Sequence, residues 1–318
     1  RVSATTGFSG AQRLEGSVGA QPIPPLFEPD PATATVRRVD GVALTLADAL
    51  GQLPAQGGPL IVEITNSDTY LLDLGAVPGI VNTGGELSLG LPAPPPGASG
   101  RPWTLTIRAV SGQRPVIRLR QPLRLRPANI GAGGFALMNV RLQGLYLTRD
   151  AGFPANAALV EQAVLNRLQF EGCTLDPGGA WLLDGTPTGS RTPLHVALRL
   201  PDDRGLSPAD QLTFDQTPQL VLRQCVAGAL HVDRTHLLGL VSCVVDAGAG
   251  VADTATAPAL ALRAATGDPE QAWSAPVAFD GLTVFGRSRV ERARGRGGIF
   301  IHRLEVHDNQ DQHTGPVM

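Results

Sequence analysis

One spacing recurs along the second half of the chain and restricts the folds open to it. It reads apolar-x-apolar-x-x-apolar-x-apolar, where x is any residue. Its copies are Val140/Leu142/Leu145/Leu147, Leu168/Phe170/Cys173/Leu175, Leu220/Leu222/Cys225/Ala227, Leu238/Leu240/Cys243/Val245, Val277/Phe279/Leu282/Val284 and Ile299/Ile301/Leu304/Val306. Alternation with period 2 turns one face of a strand inward, but the double x shifts the parity and would turn the second half outward. A bend between the halves returns both of them to one interior.

Such a bend favours a small residue or one that tolerates a positive φ. The second residue of the double x is Gly144, Gly172, Gln224, Ser242, Gly281 and Arg303 in the six copies. A bent strand pair that recurs in this way predicts an all-β fold, a right-handed parallel β-helix solenoid. A β-sandwich also consists of short strands and stays open as the alternative.

The copies are unevenly spaced. The steps from Leu145 to the next equivalent residues are 28, 52, 18, 39 and 22 residues. The short steps suit one solenoid turn each. The step of 52 predicts an extra turn, with a spare strand at residues 195–200 and a protruding loop near residues 201–211.

The N-terminal part predicts a lead-in and a cap. Residues 1–35 are rich in Pro, Gly and Ala, with five prolines between Pro22 and Pro31, which is typical of an extended linker. Apolar residues at helical spacing from Leu44 to Leu50, with Thr45 and Asp48 in the first turn, predict a short capping helix.

The remaining elements ahead of the repeat are short. Strands are predicted at residues 59–64, 104–110 and 115–120, with a surface loop at residues 91–102. The regular solenoid is predicted to begin near residue 104. We therefore assign residues 36–318 to a single β-helix domain that is part of a longer protein.

Composition excludes several function classes. The formal net charge is −2 and all 26 basic residues are arginine, so no global field would attract nucleic acid. No run of about 18 apolar residues could span a membrane. The absence of lysine, together with abundant Ala, Gly, Pro and Arg, is typical of a GC-rich bacterial genome. A soluble chain is predicted, and both secretion and association with a particle stay open.

The three cysteines share one position of the repeat. Leu145, Cys173, Cys225, Cys243, Leu282 and Leu304 form one predicted inward column. A free cysteine behaves as a small apolar side chain, so we interpret the thiols as core. No CxxC or nearby histidine predicts a metal site. A disulfide between Cys225 and Cys243 is the alternative.

Several segments resemble rungs of pectate-lyase-like right-handed β-helix proteins. They are residues 105–109 and 114–117, together with residues 170–178, 242–248, 282–286 and 307–310, which are similar to large uncharacterised bacterial β-helix proteins. The resemblance covers about residues 36–310. It implies the fold, and it implies a link to phage-tail-like or contractile injection particles, to which some proteins of that type belong.

The resemblance implies an enzymatic alternative, because the enzymes among pectate-lyase-like proteins cleave polysaccharides. They act as lyases with Ca²⁺ or as hydrolases with clustered aspartates. The hydrolase pattern would need Asn-x-Asp together with Gly-His-Gly and Arg-x-Lys, and this sequence lacks the last two. The one acidic pair beside an arginine is Asp202-Asp203-Arg204, in a segment whose Pro and Gly indicate a solvated loop.

Three other sets of polar residues could carry chemistry. One is the predicted outward column of Gln143, Glu171, Arg223, Val241, Asp280 and His302. Lateral ion pairs between turns are expected in it, Glu171 with Arg223 or Asp280 with His302, and a catalytic acid–base pair is the alternative. Another is His231, Asp233, Arg234 and His236, interpreted as turn polarity. The last is the basic stretch of Arg287, Arg289, Arg292, Arg294 and Arg296 around Glu291, interpreted as a solvated strand with phosphate or acidic-glycan contact as the alternative.

The sequence thus favours a non-catalytic structural or binding module of a larger bacterial assembly. Its predicted partners are other protein subunits, with a glycan as a further candidate, and no catalytic, cofactor or metal residue is predicted. A polysaccharide lyase or hydrolase and a surface adhesin stay open as alternatives. Few aromatic residues are available for stacking on sugars, since Trp103, Trp181, Trp273, Tyr70 and Tyr146 are scattered. Whether Asp202, Asp203, Glu171, Asp280 or His302 form a site stays open.

Overall fold

The chain folds as an all-β parallel β-helix with a short helix near its N-terminal end, as seen in a computed structural model. The structure describes residues 34–51, 53, 59–91, 103–127, 138–155, 157–161, 165, 167–176, 196–198, 218–248 and 259–307. The predicted lead-in lies outside them up to residue 33. The loop predicted at residues 91–102 also lies outside them, apart from Leu91, which ends a strand, and so does the loop predicted at residues 201–211.

Strands lie on three faces of the solenoid. Face 1 contains β1 (Thr35–Val39), β2 (Leu60–Ile64), β6 (Trp103–Ala109), β9 (Met138–Gln143), β12 (Arg167–Glu171), β15 (Gln219–Arg223) and the first halves of β18 (Leu237–Asp246), β20 (Val277–Phe285) and β22 (Ala293–Phe300). Face 2 contains β3 (Thr69–Leu72), β7 (Val116–Leu119), β10 (Tyr146–Arg149), β13 (Thr174–Leu175), β16 (Val226–Ala227) and the second halves of β18, β20 and β22. Face 3 contains β4 (Val81–Thr83), β5 (Glu86–Leu91), β8 (Leu123–Pro127), β11 (Val160–Glu161), β14 (Val196–Leu198), β17 (Leu230–Val232), β19 (Leu260–Arg263), β21 (Arg287–Val290) and β23 (Leu304–Val306).

Eight turns stack within the described residues. Turn 1 consists of β2, β3 and β5, and each following turn consists of the next strand on each face. In turns 6 to 8 one long strand (β18, β20 or β22) covers both face 1 and face 2, so turn 8 consists of β22 and β23. Neighbouring turns lie about 4.8 Å apart, so the rod from β1 to β22 is about 38 Å long. Among the described strands, only β4 and β5 pair in antiparallel fashion. This parallel pairing rules out the sandwich, whose sheets are antiparallel.

A single left-handed residue joins face 1 to face 2 in each of turns 3 to 8. These residues are Gly144 (φ 69°), Gly172 (57°), Gln224 (53°), Ser242 (52°), Gly281 (69°) and Gly297 (63°). The first five are the bends that the repeat predicts, so the predicted bend is confirmed there. Gly297 replaces the predicted Arg303, because β22 pairs with β20 in a register that sets Gly297 beside Gly281.

The prediction of a sixth copy of the repeat at residues 299–306 is therefore wrong. Ile299 pairs with the outward Thr283 and is 57% exposed, whereas Leu304 pairs with Ser288 on face 3. The two interior positions that flank the bend of turn 8, Gly295 and Gly298, are glycines instead of larger apolar residues. A Cβ on Gly295 would lie 2.1 Å from the Phe279 carbonyl oxygen, and one on Gly298 would lie 2.6 Å from the Phe279 ring. Turn 8 closes over Phe279, which a search for apolar spacing cannot detect.

Two predictions about the extent of the solenoid are also wrong. Leu168 pairs directly with Leu220, so the step of 52 residues contains no extra turn. The predicted spare strand does form, as β14, but it is the face-3 strand of turn 4 and pairs with β11 and β17. The regular part begins before residue 104, because β1 and β2 already pair in the same register as the later face-1 strands.

The predicted helix is confirmed as α1, Leu46–Gly51. The Thr45 hydroxyl oxygen accepts from the Asp48 backbone N–H at 3.1 Å and donates to the Asp48 carboxylate at 2.6 Å, a reciprocal cap that fixes the first turn. Leu46 and Leu50 are buried in the core. The helix thus adds apolar cover beside the first turns.

The thiols form an inward column, here named the thiol column: Leu145, Cys173, Cys225, Cys243, Leu282 and Gly298 in turns 3 to 8. Gly298 stands where Leu304 was predicted. Each cysteine is free and at most 2% exposed. Cys225 lies between the other two, and hydrogen bonding to those thiols and burial raise its pKa. The interpretation of the thiols as core is confirmed.

We expect Gly172→Ala to lower stability by about 1 kcal/mol, because alanine is strained at positive φ while nothing lies within 4 Å of the added Cβ. Gln224→Gly, at φ 53°, is the converse substitution and should leave stability unchanged or raise it, because glycine relieves the same strain. Denaturant midpoints of both variants check this. Equal losses for the two would contradict a strained bend.

We expect no thiol to react with an alkylating reagent in the native protein and three thiols to react after unfolding, since Cys173, Cys225 and Cys243 are all buried and free. Intact-mass spectrometry counts the modified thiols. Fast labelling of the folded chain would contradict the thiol column, and a mass two hydrogens low would show a disulfide instead.

Candidate functional site

The outward residue before each bend forms a column of alternating charge on face 1, here named the charge column. Its members are Arg38, Glu63, Arg108, Gln143, Glu171, Arg223, Val241, Asp280 and Arg296. No acidic residue in it neighbours another acidic residue, and no arginine neighbours another arginine. In-register stacking therefore sets opposite charges or uncharged residues beside each other throughout the column.

Ion pairs link neighbouring turns along the charge column. Glu63 accepts from Arg108 Nε at 3.0 Å and contacts Arg38 Nε at 3.4 Å. The Arg108 hydrogen bond holds the pKa of Glu63 below its usual range. At the other end, Arg296 Nε donates to Asp280 at 2.9 Å. The predicted lateral pairs thus form, but their partners differ from those expected.

The structure corrects two of the predicted pairs. Glu171 lies beside Arg223 as predicted, yet the ion pair of its carboxylate is with Arg141, in the preceding turn. Asp280 lies beside Arg296, because turn 8 takes the Gly297 bend, and His302 falls outside the column. An acid–base pair between Asp280 and His302 is therefore wrong.

A second outward column, on face 3, was missed by sequence reasoning. Arg124 Nη2 contacts Glu161 at 2.8 Å and Glu86 at 3.8 Å, so two carboxylates share one guanidinium. Face-3 strands are as short as two residues, and the lengths of the segments before them vary, so no spacing in the sequence reveals this column.

The polar cluster around His231 is part of face 3 and is held by hydrogen bonds within the solenoid. Arg263 Nε donates to His231 Nε2 at 2.8 Å, which requires an unprotonated Nε2. Burial lowers the pKa of Arg263. Asp233 accepts from the backbone N–H groups of Ala265 and Thr266 at 2.9 and 3.0 Å, which ties β17 to the segment after β19. Arg234 and His236 lie in the turn after β17, as the interpretation of turn polarity expects, whereas His231 lies on β17 itself and is only 7% exposed. Among the described residues, no group of three or more His, Cys, Asp or Glu side chains could hold a metal ion.

The basic stretch is mostly neutralised. Arg287 pairs with Glu270 at 2.5 Å, Arg289 pairs with Glu305, and Arg296 pairs with Asp280. The guanidinium of Arg289 also lies 3.8 Å above the Trp273 ring. Arg294 is exposed on β22, the last face-1 strand of the described chain, and Arg292 is exposed just before it. Charged side chains on a terminal strand discourage its open edge from pairing with a strand of another molecule. This supports the interpretation of the basic stretch as a solvated strand.

Buried polar groups occupy the outward side of face 1 in turns 2 to 4. Thr104 and Thr106 are 7% and 1% exposed, and neither Oγ1 has a hydrogen-bond partner. Their neighbours on this side are Asn139, Arg141 and Gln169, all buried as well. Buried hydroxyls without a partner are uncommon in folded proteins, and they mark groups that an ordered water or a bound molecule can satisfy.

The remaining candidates lie outside the described residues, namely Asp202, Asp203, Arg204 and Trp181. The described part of the chain contains no helix long and apolar enough to cross a membrane. The chain matches no protein-family model, no curated protein and no solved structure.

We expect Glu63→Gln to cost about 1 kcal/mol at neutral pH, because Arg108 loses its charged partner. The pKa of Glu63 is lowered in the fold, so its stabilisation is complete above the unfolded pKa and is lost as pH falls through the folded pKa. The difference between wild type and variant should thus fade below about pH 4. Denaturant midpoints across pH measure it.

Glu86→Gln is the matched control for this prediction. Its contact with Arg124 is longer, at 3.8 Å, and its side chain is 45% exposed. An exposed pair contributes little, so the control should change stability by less than about 0.5 kcal/mol. A Glu63→Gln effect that persists unchanged in acid would contradict the role of the ion pair.

Proposed function

We propose that this chain is a non-catalytic structural and binding module of a larger bacterial assembly, one candidate being a phage-tail-like particle. The observation that carries the proposal is the pairing of carboxylates with arginines across neighbouring turns on all three faces. Glu63 and Asp280 pair on face 1, Asp73 and Asp150 share Arg120 beside face 2, and Glu161 pairs on face 3. Charges arranged in this way fix the register of turns and stiffen a rod.

The carboxylates that lie near each other are poorly suited to acid–base catalysis. Glu86 and Glu161 are neighbours, but Arg124 lies between them. Asp73 accepts hydrogen bonds from Gln121 and Arg120, and these hold its pKa below its usual range. Catalysis of glycoside cleavage needs one carboxyl group that is protonated near neutral pH, hence a raised pKa.

The binding part of the proposal is supported by face 2, where the apolar side chains of Leu71, Tyr146, Val226 and Ile299 are exposed and available for contact with a partner. A rod with such a wall suits the spacing and presentation of partner subunits. The polysaccharide lyase or hydrolase and the surface adhesin are the alternatives.

A depolymerisation assay separates the module from the enzyme. We expect no unsaturated product and no new reducing ends from polygalacturonate or neutral polysaccharides, with or without Ca²⁺. Turnover that Glu161→Gln abolishes, while Glu270→Gln leaves it intact, would overturn the proposal in favour of the enzyme. Glu270 is a fair control because it lies on a loop and is 55% exposed.

Fractionation of the native cells tests the assembly directly. We expect the chain to sediment with other subunits in a particle much larger than itself. A chain that sediments alone under every gentle lysis condition would contradict the proposal.

A further inference from the structure

The last face-1 strand of the described chain, β22, has an open edge. Among the described residues it pairs with β20 of turn 7 alone, and no strand lies on its other side. The residues from Arg294 to Ile299 are all exposed. Phe279 fills the interior of turn 8, but the backbone on the far side of β22 is uncovered.

Hydrogen bonds around the earlier bends show which backbone groups this edge presents. In turns 3, 4 and 5 the N–H of the bend residue donates to the carbonyl oxygen of the charge-column residue in the following turn, at 2.8 to 2.9 Å. These pairs are Gly144 with Glu171, Gly172 with Arg223, and Gln224 with Val241. Gly297 occupies the bend of turn 8, so its N–H points to the place of a ninth turn.

The carbonyl groups of the thiol column follow a matching rule. Leu145, Cys173 and Cys225 each accept from a backbone N–H of the following turn, at 2.9 to 3.1 Å. Gly298 is the member of this column in turn 8, so its carbonyl oxygen also points to a ninth turn. The edge therefore offers donors and acceptors to a further parallel strand.

Three arginines at alternate positions line the outward side of this edge. They are Arg292, Arg294 and Arg296, here named the arginine row. Alternation with period 2 puts all three on one side of the strand, with about 7 Å from one to the next. Among the described residues, the one carboxylate that pairs with the row is that of Asp280, which accepts from Arg296 Nε at 2.9 Å.

The other acidic groups near this end leave the row uncompensated. Ala278, the neighbour of Arg294 in turn 7, is uncharged. Glu291 precedes the row, but its carboxylate lies 3.5 Å from His307 Nδ1. The remaining carboxylates that pair here, with arginines outside the row, are those of Glu270 and Glu305. Three arginines thus share a single carboxylate.

We propose that the edge of β22 binds an acidic, extended segment of a partner protein, which adds to the solenoid as a parallel strand. Carboxylates at three alternate positions of this segment lie beside the arginine row, and its backbone pairs with the open edge. The inference rests on the proposed function as a binding module, because it names the chemistry of one partner. The same arginines discourage apolar and basic strands, so they make the edge selective.

A second copy of this chain does not fit the edge. Its β1 lies at the opposite end of the same sheet and is the strand that would continue the ladder. In the common register Arg38 would then stack on Arg296, and Val36 would stack on Arg294. This sets like charges beside each other and covers a second arginine with an apolar side chain.

Fluorescence anisotropy with a labelled peptide tests the binding. The probe is a short peptide with glutamates at three alternate positions and threonine or valine between them, and the matched control has glutamines instead. We expect the glutamate peptide to bind, and the glutamine peptide to bind at least about tenfold more weakly, because it forms no charge-assisted hydrogen bonds.

N-methylation of the peptide separates strand addition from attraction of charge alone. Outward Leu237 donates its N–H to the preceding turn, at Pro218, whereas inward Leu238 donates to the following turn, at Pro276. The glutamate amides of an added strand therefore face β22, so methylation of them should abolish binding, and methylation of the amides between them should not. Equal binding of both methylated peptides, together with tight binding of polygalacturonate, would overturn strand addition in favour of an acidic glycan.

Arg294→Glu tests the register. Arg294 is exposed beside Ala278, so the fold should persist, while affinity for the glutamate peptide should fall about tenfold. Lysine in place of the middle glutamate should restore the affinity, and lysine in place of the first should not. Arg234→Glu is the matched control, because it changes the net charge equally at an exposed turn of the solenoid.

The outcomes separate this inference from the proposed function. No binding of the glutamate peptide at about 1 mM would overturn the inference, and so would equal losses in Arg294→Glu and Arg234→Glu. A chain that sediments with a larger particle but binds no acidic peptide would contradict the acidic strand alone. The proposed function would then still stand.

Discussion

The solenoid depends on one backbone conformation, the left-handed residue between faces 1 and 2. That residue lets an alternating strand change direction while its apolar side chains keep pointing inward. Glycine adopts this conformation at little cost, and it occupies four of the six bends in turns 3 to 8. Gln224 and Ser242 show that the fold also holds non-glycine residues there, because the strands on both sides are locked in a parallel ladder.

In-register stacking then makes every position of a turn into a column along the rod. The inward columns consist of small and apolar side chains, including the three thiols. The outward columns consist of side chains that are compatible with the residues beside them in the neighbouring turns. Two outward columns carry arginines and carboxylates that pair between turns, on faces 1 and 3. The first outward column of face 2, from Thr69 to Ile299 (the neutral column), carries no charge, and the ion pairs of that face lie at the ends of its strands. The three faces of one repeat have therefore acquired different chemistry, although ion pairs link the turns on each of them.

The C-terminal turn shows how packing can replace a sequence pattern. The two interior positions that flank its bend are Gly295 and Gly298, and their space is taken by Phe279 of the preceding turn. Phe300 packs edge-to-face against the Phe279 ring, with the ring centroids 5.8 Å apart. The exposed Arg294 lies on the strand of this turn, and the exposed Arg292 lies just before it. A small interior and a charged edge together close this end of the described rod.

The sequence by itself determined the fold class, five of the six bends, the helix with its Thr45–Asp48 cap and the cysteine core. Each of these follows from local rules, namely strand alternation, tolerance of positive φ and helix capping, which act within a few residues. Only the tertiary structure decided which turns are neighbours across long segments, so it corrected the step of 52 residues and the His302 pairing. The face-3 ion pairs and the neutral column were also beyond local rules, because residues far apart in the chain become neighbours only when parallel turns stack.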